Sequence, residues 1–203
     1  MVSNDKLSGM VRHAMRMMVG TLASRILGLV REMLTAALFG ALSASFVPVF
    51  SRTLTENGKD SARELAKQAL SVLLFGGTVV VLIGIFMAPL FVGIMAPGFA
   101  PEERTLAISL TRALFPFLLL ISVGALAMGV LNSMGSFFVP AVAPALSNVA
   151  YILFLLATIK NLSVWNLVAA VLLGGSCHML MQWYWAGKMG IVLTPSLPKK
   201  DNA

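Results

Sequence analysis

Long apolar runs separated by short polar punctuation dominate this chain. Five runs stand out, at residues 14–50, 66–95, 106–131, 139–159 and 164–186. A helix needs roughly 20 apolar residues to cross the hydrocarbon core of a bilayer, and each of the last four runs meets that length. The breaks between them, APGFAPEER, NSMGSF and IKNLS, are short and rich in turn residues. With no long linker, residues 1–203 read as a single transmembrane domain. The expected fold class is all-α, a polytopic membrane helix bundle, since a membrane-spanning chain must satisfy its backbone polar groups internally. The stretch 56–67, ENGKDSARELAK, reads as a polar turn leading into a helix start, with Asp60 as the cap and Glu64 in the first turns.

Composition agrees with that pattern. Hydrophobic residues make up 58% of the 203 positions and charged residues only 11%, where a soluble domain carries about 25% charge. The formal net charge of +7 would suggest nucleic acid in a soluble protein. Here the Lys and Arg residues sit mainly between apolar runs, without a basic stripe interleaved with aromatics. They suit orientation in the membrane and contact with lipid headgroups, so no nucleic-acid partner is expected.

The basic residues also set a topology. Arg52, Lys59, Arg63 and Lys67 precede the second run, and Lys188, Lys199 and Lys200 follow the last. Four crossings separate the two groups, which places them on one side. The opposite loops hold only Arg104 and Lys160. By the positive-inside rule the heavier side is cytoplasmic, tail included, with 97–105 and 160–163 outside. The amino terminus, with Lys6, Arg12 and Arg16, also asks to be cytoplasmic. Yet only the run 14–50 separates it from Arg52. Two crossings there would need about 40 residues and a turn, and the run has 37. Either 14–50 forms a hairpin or re-entrant element, or a piece of chain is missing near its middle.

Candidate chemistry concentrates in that first run. Arg25, Arg31 and Glu32 lie well inside it, and a charge at membrane depth costs at least about 2.5–3.5 kcal/mol on insertion scales. On a helix Arg25 and Glu32 share a face, while Arg31 lies about 120° round from Arg25. Guanidinium groups grip phosphates in bidentate fashion, so one reading is an anion-binding cavity for a phosphorylated lipid. The plainer reading is snorkelling plus an Arg–Glu pair. Elsewhere the expectations are structural. Arg112 should snorkel from near the outer end of the third run, Glu102 and Glu103 should be solvated loop carboxylates, and Asn132 and Asn148 should bond between helices. Cys177 reads as a small buried hydrophobe, and His178 as a packing or interfacial histidine without a second ligand at metal spacing. Pro89, Pro116, Pro140 and Pro144 fall in or at the edges of apolar runs, as proline often does in membrane helices. No nucleophile–base pair, metal cluster or phosphate loop is visible, so neither an enzyme nor a cofactor is expected.

Several motifs, in order, resemble the lipid II flippase family (MurJ, also called MviN). SRILGLVRE at 24–32 resembles its first-helix motif and ALSASFVPVFSR at 41–52 the end of its second helix. APGF at 96–99, FPFLLLIS at 115–122, LNS at 131–133 and PAVAPALSN at 140–148 resemble segments from its third to fifth helices. The resemblance implies the amino-terminal half of a multidrug/oligosaccharidyl-lipid/polysaccharide exporter-type transporter in the bacterial cytoplasmic membrane. It implies translocation of the undecaprenyl-pyrophosphate-linked peptidoglycan precursor for cell wall synthesis, with Arg25 and Arg31 lining a cationic cavity that binds this anionic lipid. The family carries a further helix-length stretch where Gly40 here meets Ala41, the place where the charge pattern already asks for a missing crossing. The chain therefore reads as a partial flippase. The alternatives are a truncated, non-transporting membrane protein and a related polyprenyl-glycan exporter.

Overall fold

The structure is a computed structural model that describes residues 45–161 and 163–195. The run 14–44, with Arg25, Arg31 and Glu32, lies outside the described residues. A helix over 45–56, α1, leads through Asn57 into α2 (Gly58–Met95). Then come α3 (Pro101–Leu114), α4 (Pro116–Ser133), α5 (Phe138–Ala157), a single 3₁₀ turn (Ile159–Asn161) and α6 (Val164–Lys188). Four stretches are long and apolar enough to cross a membrane: α2, the α3–α4 pair taken as one, α5 and α6. No strand occurs among the described residues.

Local chemistry explains the element boundaries. Pro101 and Pro116 occupy the first positions of α3 and α4, where a missing N–H costs nothing. Phe115 between them keeps helical angles, φ −54° and ψ −39°. The run expected as one helix over 106–131 is thus two helices joined end to end, with Pro116 interrupting the hydrogen-bond ladder. Glu102 and Glu103, expected on a loop, form the first turn of α3, and the Glu103 carboxylate accepts from Ala100 N–H at 3.1 Å. Asp60 is likewise not a cap. It lies inside the first turn of α2 and pairs with Arg63 at 2.9 Å, while Asn57 holds the cap position without a side-chain bond. Both carboxylates still suit the positive end of a helix dipole.

Two helices end by the same device. After α4, Gly135 (φ +77°) lets Ser136 N–H reach Leu131 O at 2.9 Å and Gly135 N–H reach Asn132 O at 3.0 Å. After α6, Gly190 (φ +90°) does the same for Ile191 to Ala186 O at 3.0 Å and Gly190 to Gly187 O at 2.9 Å. Each is a Schellman closure that satisfies the last carbonyls and requires a left-handed residue. At the second, fully buried Ile191 folds into the core just past the helix.

Membrane dimensions fit α6. Trp165 and Trp185 stand twenty positions apart, about 30 Å along a helix, which is the thickness of the hydrocarbon core between its aromatic belts. At 38 residues α2 is nearly twice that length, about 57 Å, so its polar first turns, around Lys59 to Lys67, extend beyond the apolar slab.

The tightest core lies at one end of the bundle. Phe46 and Phe50 of α1, their ring centroids 5.4 Å apart, join Leu70 of α2, Leu126 and Leu131 of α4, Ala186 of α6, and Ile191 and Leu193 beyond it. By contrast α2 turns large side chains outward, with Phe86 and Phe75 85% and 77% exposed, as expected of lipid-facing positions. Between helices immersed in lipid, close packing replaces the hydrophobic effect, and small residues permit it. A Cβ on Gly174 of α6 would stand 2.9 Å from the Ser147 carbonyl oxygen of α5, backbone that cannot step aside. A Cβ on Gly84 of α2 would drive into the Phe115 ring at the α3–α4 joint.

Gly174→Ala should therefore part α5 from α6 and lower stability by about 1–3 kcal/mol. Gly187→Ala, with open space around the site, should be neutral or better. Thermal unfolding in detergent would compare the two, and equal behaviour would contradict the packing described.

Candidate functional site

Three polar constellations are visible among the described residues. The first gathers the basic residues at the end where α2 begins and α6 finishes. Arg63 donates through Nε to Gly190 O at 2.9 Å and through Nη1 to Asp60. Lys59 lies close by, its Nζ 2.9 Å from where a Cβ on Gly190 would stand. Both cations meet the carboxyl end of α6, where the helix dipole favours positive charge. Lys188 stands 5.0 Å from the ring centroids of both Tyr184 and Trp185, an aromatic and cationic collar suited to a headgroup region. The two basic groups expected on one side of the membrane, around Lys59 and around Lys188, are thus in contact across the bundle. This end is called the basic end below. The loop 96–100 and the 3₁₀ turn lie at the far end.

The second constellation is interior. Gln182 of α6 is fully buried, and its Nε2 lies 2.8 Å from His178 Nε2 one turn earlier. With the amide donating, the ring Nε2 accepts and the proton belongs on Nδ1, and the ring lies against the backbone of Ala143 on α5. Gly124 of α4 makes room for the ring, since a Cβ there would stand 3.2 Å from His178 Cδ2. His178 therefore ties three helices together, in keeping with a packing histidine. Gln182 escaped the sequence reading, although its i, i+4 spacing from His178 was the available signal. Its Oε1 is buried without a hydrogen-bond partner among the described residues. Cys177 is half-buried rather than buried. The side chains of Asn132 and Asn148 make no hydrogen bond among the described residues, and Asn148 is exposed near the middle of α5.

The third constellation gives Arg112, expected to snorkel, a partner on the neighbouring helix. Its Nε donates to the carbonyl oxygen of Ile85 on α2 at 3.2 Å. Ile85 stands four residues before Pro89, a proline inside α2. Proline has no N–H, so the carbonyl four residues back loses its helical partner. Arg112 supplies the replacement. Two turns nearer the far end, a Cβ on Gly93 would stand 2.9 Å from Arg104 Nη2. Two arginines eight apart on α3 thus lie against two positions eight apart on α2.

The sequence-expected pair Arg25 and Arg31 lies outside the described residues. Among the described residues no group of three or more His, Cys, Asp or Glu could hold a metal ion.

The interior pair makes a prediction. His178→Leu strands the remaining, Nε2 end of the Gln182 amide and should cost about 1–3 kcal/mol, whereas His178→Leu with Gln182→Leu should recover most of that loss. A double-mutant cycle read by unfolding in detergent checks it, and additive losses would contradict the pairing.

Comparison with known proteins places this architecture. The sequence profile of the family described as Lipid II flippase MurJ matches residues 17–202. A probable lipid II flippase MurJ of Bdellovibrio bacteriovorus is 34% identical, the match covering 84% of this chain and 38% of the relative. The lipid II flippase MurJ of Burkholderia cenocepacia is 33% identical, over 80% of this chain and 37% of the relative. The chain thus spans less than two fifths of the length of these relatives. Their matches extend over 201 and 191 residues, more than the 84% and 80% of this 203-residue chain that take part, so stretches of the relatives face gaps here. A solved structure, lipid II flippase MurJ in an inward closed conformation, shares the fold with a TM-score of 0.67 at 20% identity, covering 89% of this chain and 37% of the other.

Proposed function

Since the chain belongs to the lipid II flippase MurJ family, we propose that the protein it represents moves a lipid-linked peptidoglycan precursor across the bacterial cytoplasmic membrane. The observation that carries this reading is the family match over residues 17–202, which takes in both Arg25 and Arg31. In this reading residues 1–203 are one transmembrane domain, and Arg25 and Arg31 grip the pyrophosphate of the carrier lipid from the wall of a cationic cavity. Paired guanidiniums suit that group because each can donate two parallel hydrogen bonds to phosphate oxygens. Alternating exposure of the cavity to the two leaflets moves the headgroup without making or breaking a covalent bond, so the protein is a transporter and not an enzyme, and it uses no cofactor.

The basic end is cytoplasmic in this reading, with the amino terminus and the tail, because Lys and Arg concentrate on that side. In this reading the gap facing the relatives falls between Gly40 and Ala41. That position restores the crossing which the charge pattern demands and brings Lys6, Arg12 and Arg16 to the same side as Arg52.

A second reading is that these 203 residues on their own move no lipid. It is favoured by their span of 38% and 37% of the relatives. Complementation in cells depleted of their own lipid II flippase tests both readings. A parent carrying the missing stretches should restore growth, and Arg25→Ala or Arg31→Ala in that parent should cut transport about tenfold or more, the loss of a charge-assisted contact of roughly 1.5–3 kcal/mol. Full rescue by either alanine variant overturns the cavity assignment. Rescue by the 203-residue chain overturns the second reading.

A further inference from the structure

Arg112 is held at a depth where an arginine is costly. The charged first turn of α3, with Glu102, Glu103 and Arg104, suits the headgroup level at the far end, and depth is counted from there. Arg112 follows Arg104 by eight positions, about 12 Å along the helix. Its partner, the Ile85 carbonyl, lies ten positions before the end of α2 at Met95, about 15 Å down from that end. Half the hydrocarbon core is itself about 15 Å. The Nε contact pins the guanidinium to the Ile85 carbonyl at that depth, which opposes a return to the surface.

Capping a carbonyl uses only one of the five donors of an arginine. The side chain is exposed, and the terminal amino groups make no hydrogen bond among the described residues. None of the three ion pairs there, Arg52–Glu56, Arg63–Asp60 and Lys67–Glu64, involves Arg112. Within five positions of Ile85, α2 turns Leu82, Phe86 and Leu90 outward, an apolar surface on which acyl chains can lie. A full positive charge with planar donors unpaired among the described residues, held below the headgroups on an apolar helix pair, calls for a phosphate.

We propose that Arg112, tethered through Nε to the carbonyl that Pro89 frees at Ile85, holds its two terminal amino groups open as a binding site for the phosphate of an anionic lipid drawn below the headgroup level on the α2–α3 face. The site is built from Arg112 and Ile85 alone and does not depend on the transport reading. A bulk anionic phospholipid and a polyprenyl pyrophosphate carry the same chemistry.

The test uses the 203-residue chain in phosphatidylcholine nanodiscs doped either with phosphatidylglycerol or with undecaprenyl pyrophosphate, and native mass spectrometry reads the anionic lipid retained. The wild-type chain should retain at least one of the two in preference to phosphatidylcholine, and the arm that does so identifies the source. Arg112→Gln should lower that retention about tenfold or more, while Arg104→Gln at the headgroup level should leave it unchanged. Because Arg112→Gln also uncaps Ile85, the decisive variant is Pro89→Ala with Arg112→Gln, which returns a backbone N–H to that carbonyl. This double variant should melt like the wild type and still lose the lipid. Retention of anionic lipid by the double variant at the wild-type level, or no preference over phosphatidylcholine in either arm of the wild type, overturns the proposal.

Discussion

Inside a bilayer a backbone carbonyl has no water to turn to, and an unpaired one costs several kcal/mol. The helices described here answer that constraint at several breaks in their ladders. Pro89 interrupts α2, and a guanidinium from the neighbouring helix takes the carbonyl it leaves at Ile85. Pro116 interrupts the α3–α4 span at the first position of α4, the helical position that best tolerates a proline. The carboxyl ends of α4 and α6 turn back through Gly135 and Gly190 onto their own last carbonyls. At α6 the closure also presents the Gly190 oxygen to Arg63, so the device that ends one helix fastens it to the start of another.

That fastening gives the bundle its polarity. Most of the large, fully buried side chains, Phe50, Leu70, Leu126, Leu131, Ile191 and Leu193 among them, gather at the basic end, where α1, α2, α4 and the chain after α6 converge. Toward the far end, contact relies on glycines that admit a neighbour, such as Gly84 against Phe115, and on the arginines of α3 lying along α2. One end is a packed core of ordinary kind. The other is a set of helices with apolar flanks turned outward, where a lipid or further protein can be accommodated without unmaking the core.

Much of the fold was legible because lipid-facing helices advertise themselves by continuous apolar length. The runs 66–95, 139–159 and 164–186 fall largely within α2, α5 and α6 for that reason. Errors arose where polar residues belong to a helix. The PEER segment conceals the start of α3 from a hydropathy reading, so Arg112 looked shallow when it is three turns inside. Asp60 looked like a cap because the helix around it is charged, yet α2 had already begun at Gly58. The partner of Arg112 lies 27 positions away, and only Pro89 hinted that a carbonyl there would need a donor. His178 was visible as a polar oddity in an apolar run. Its contact with Ala143 belongs to tertiary packing and leaves no trace in spacing. The pair Arg25 and Arg31 rests on motif and membrane energetics alone, since it lies outside the described residues.

The return of α6 to the start of α2 after four crossings is most directly tested by side-specific labelling. With Cys177 replaced by Ser, single cysteines would be placed at Lys59, Val192 and Lys160 and exposed to a membrane-impermeant maleimide in sealed vesicles of known orientation. Lys59→Cys and Val192→Cys should react from one face and Lys160→Cys only from the other. Labelling of Lys59→Cys and Val192→Cys from opposite faces would contradict the four-crossing bundle and the Arg63–Gly190 contact on which its basic end is built.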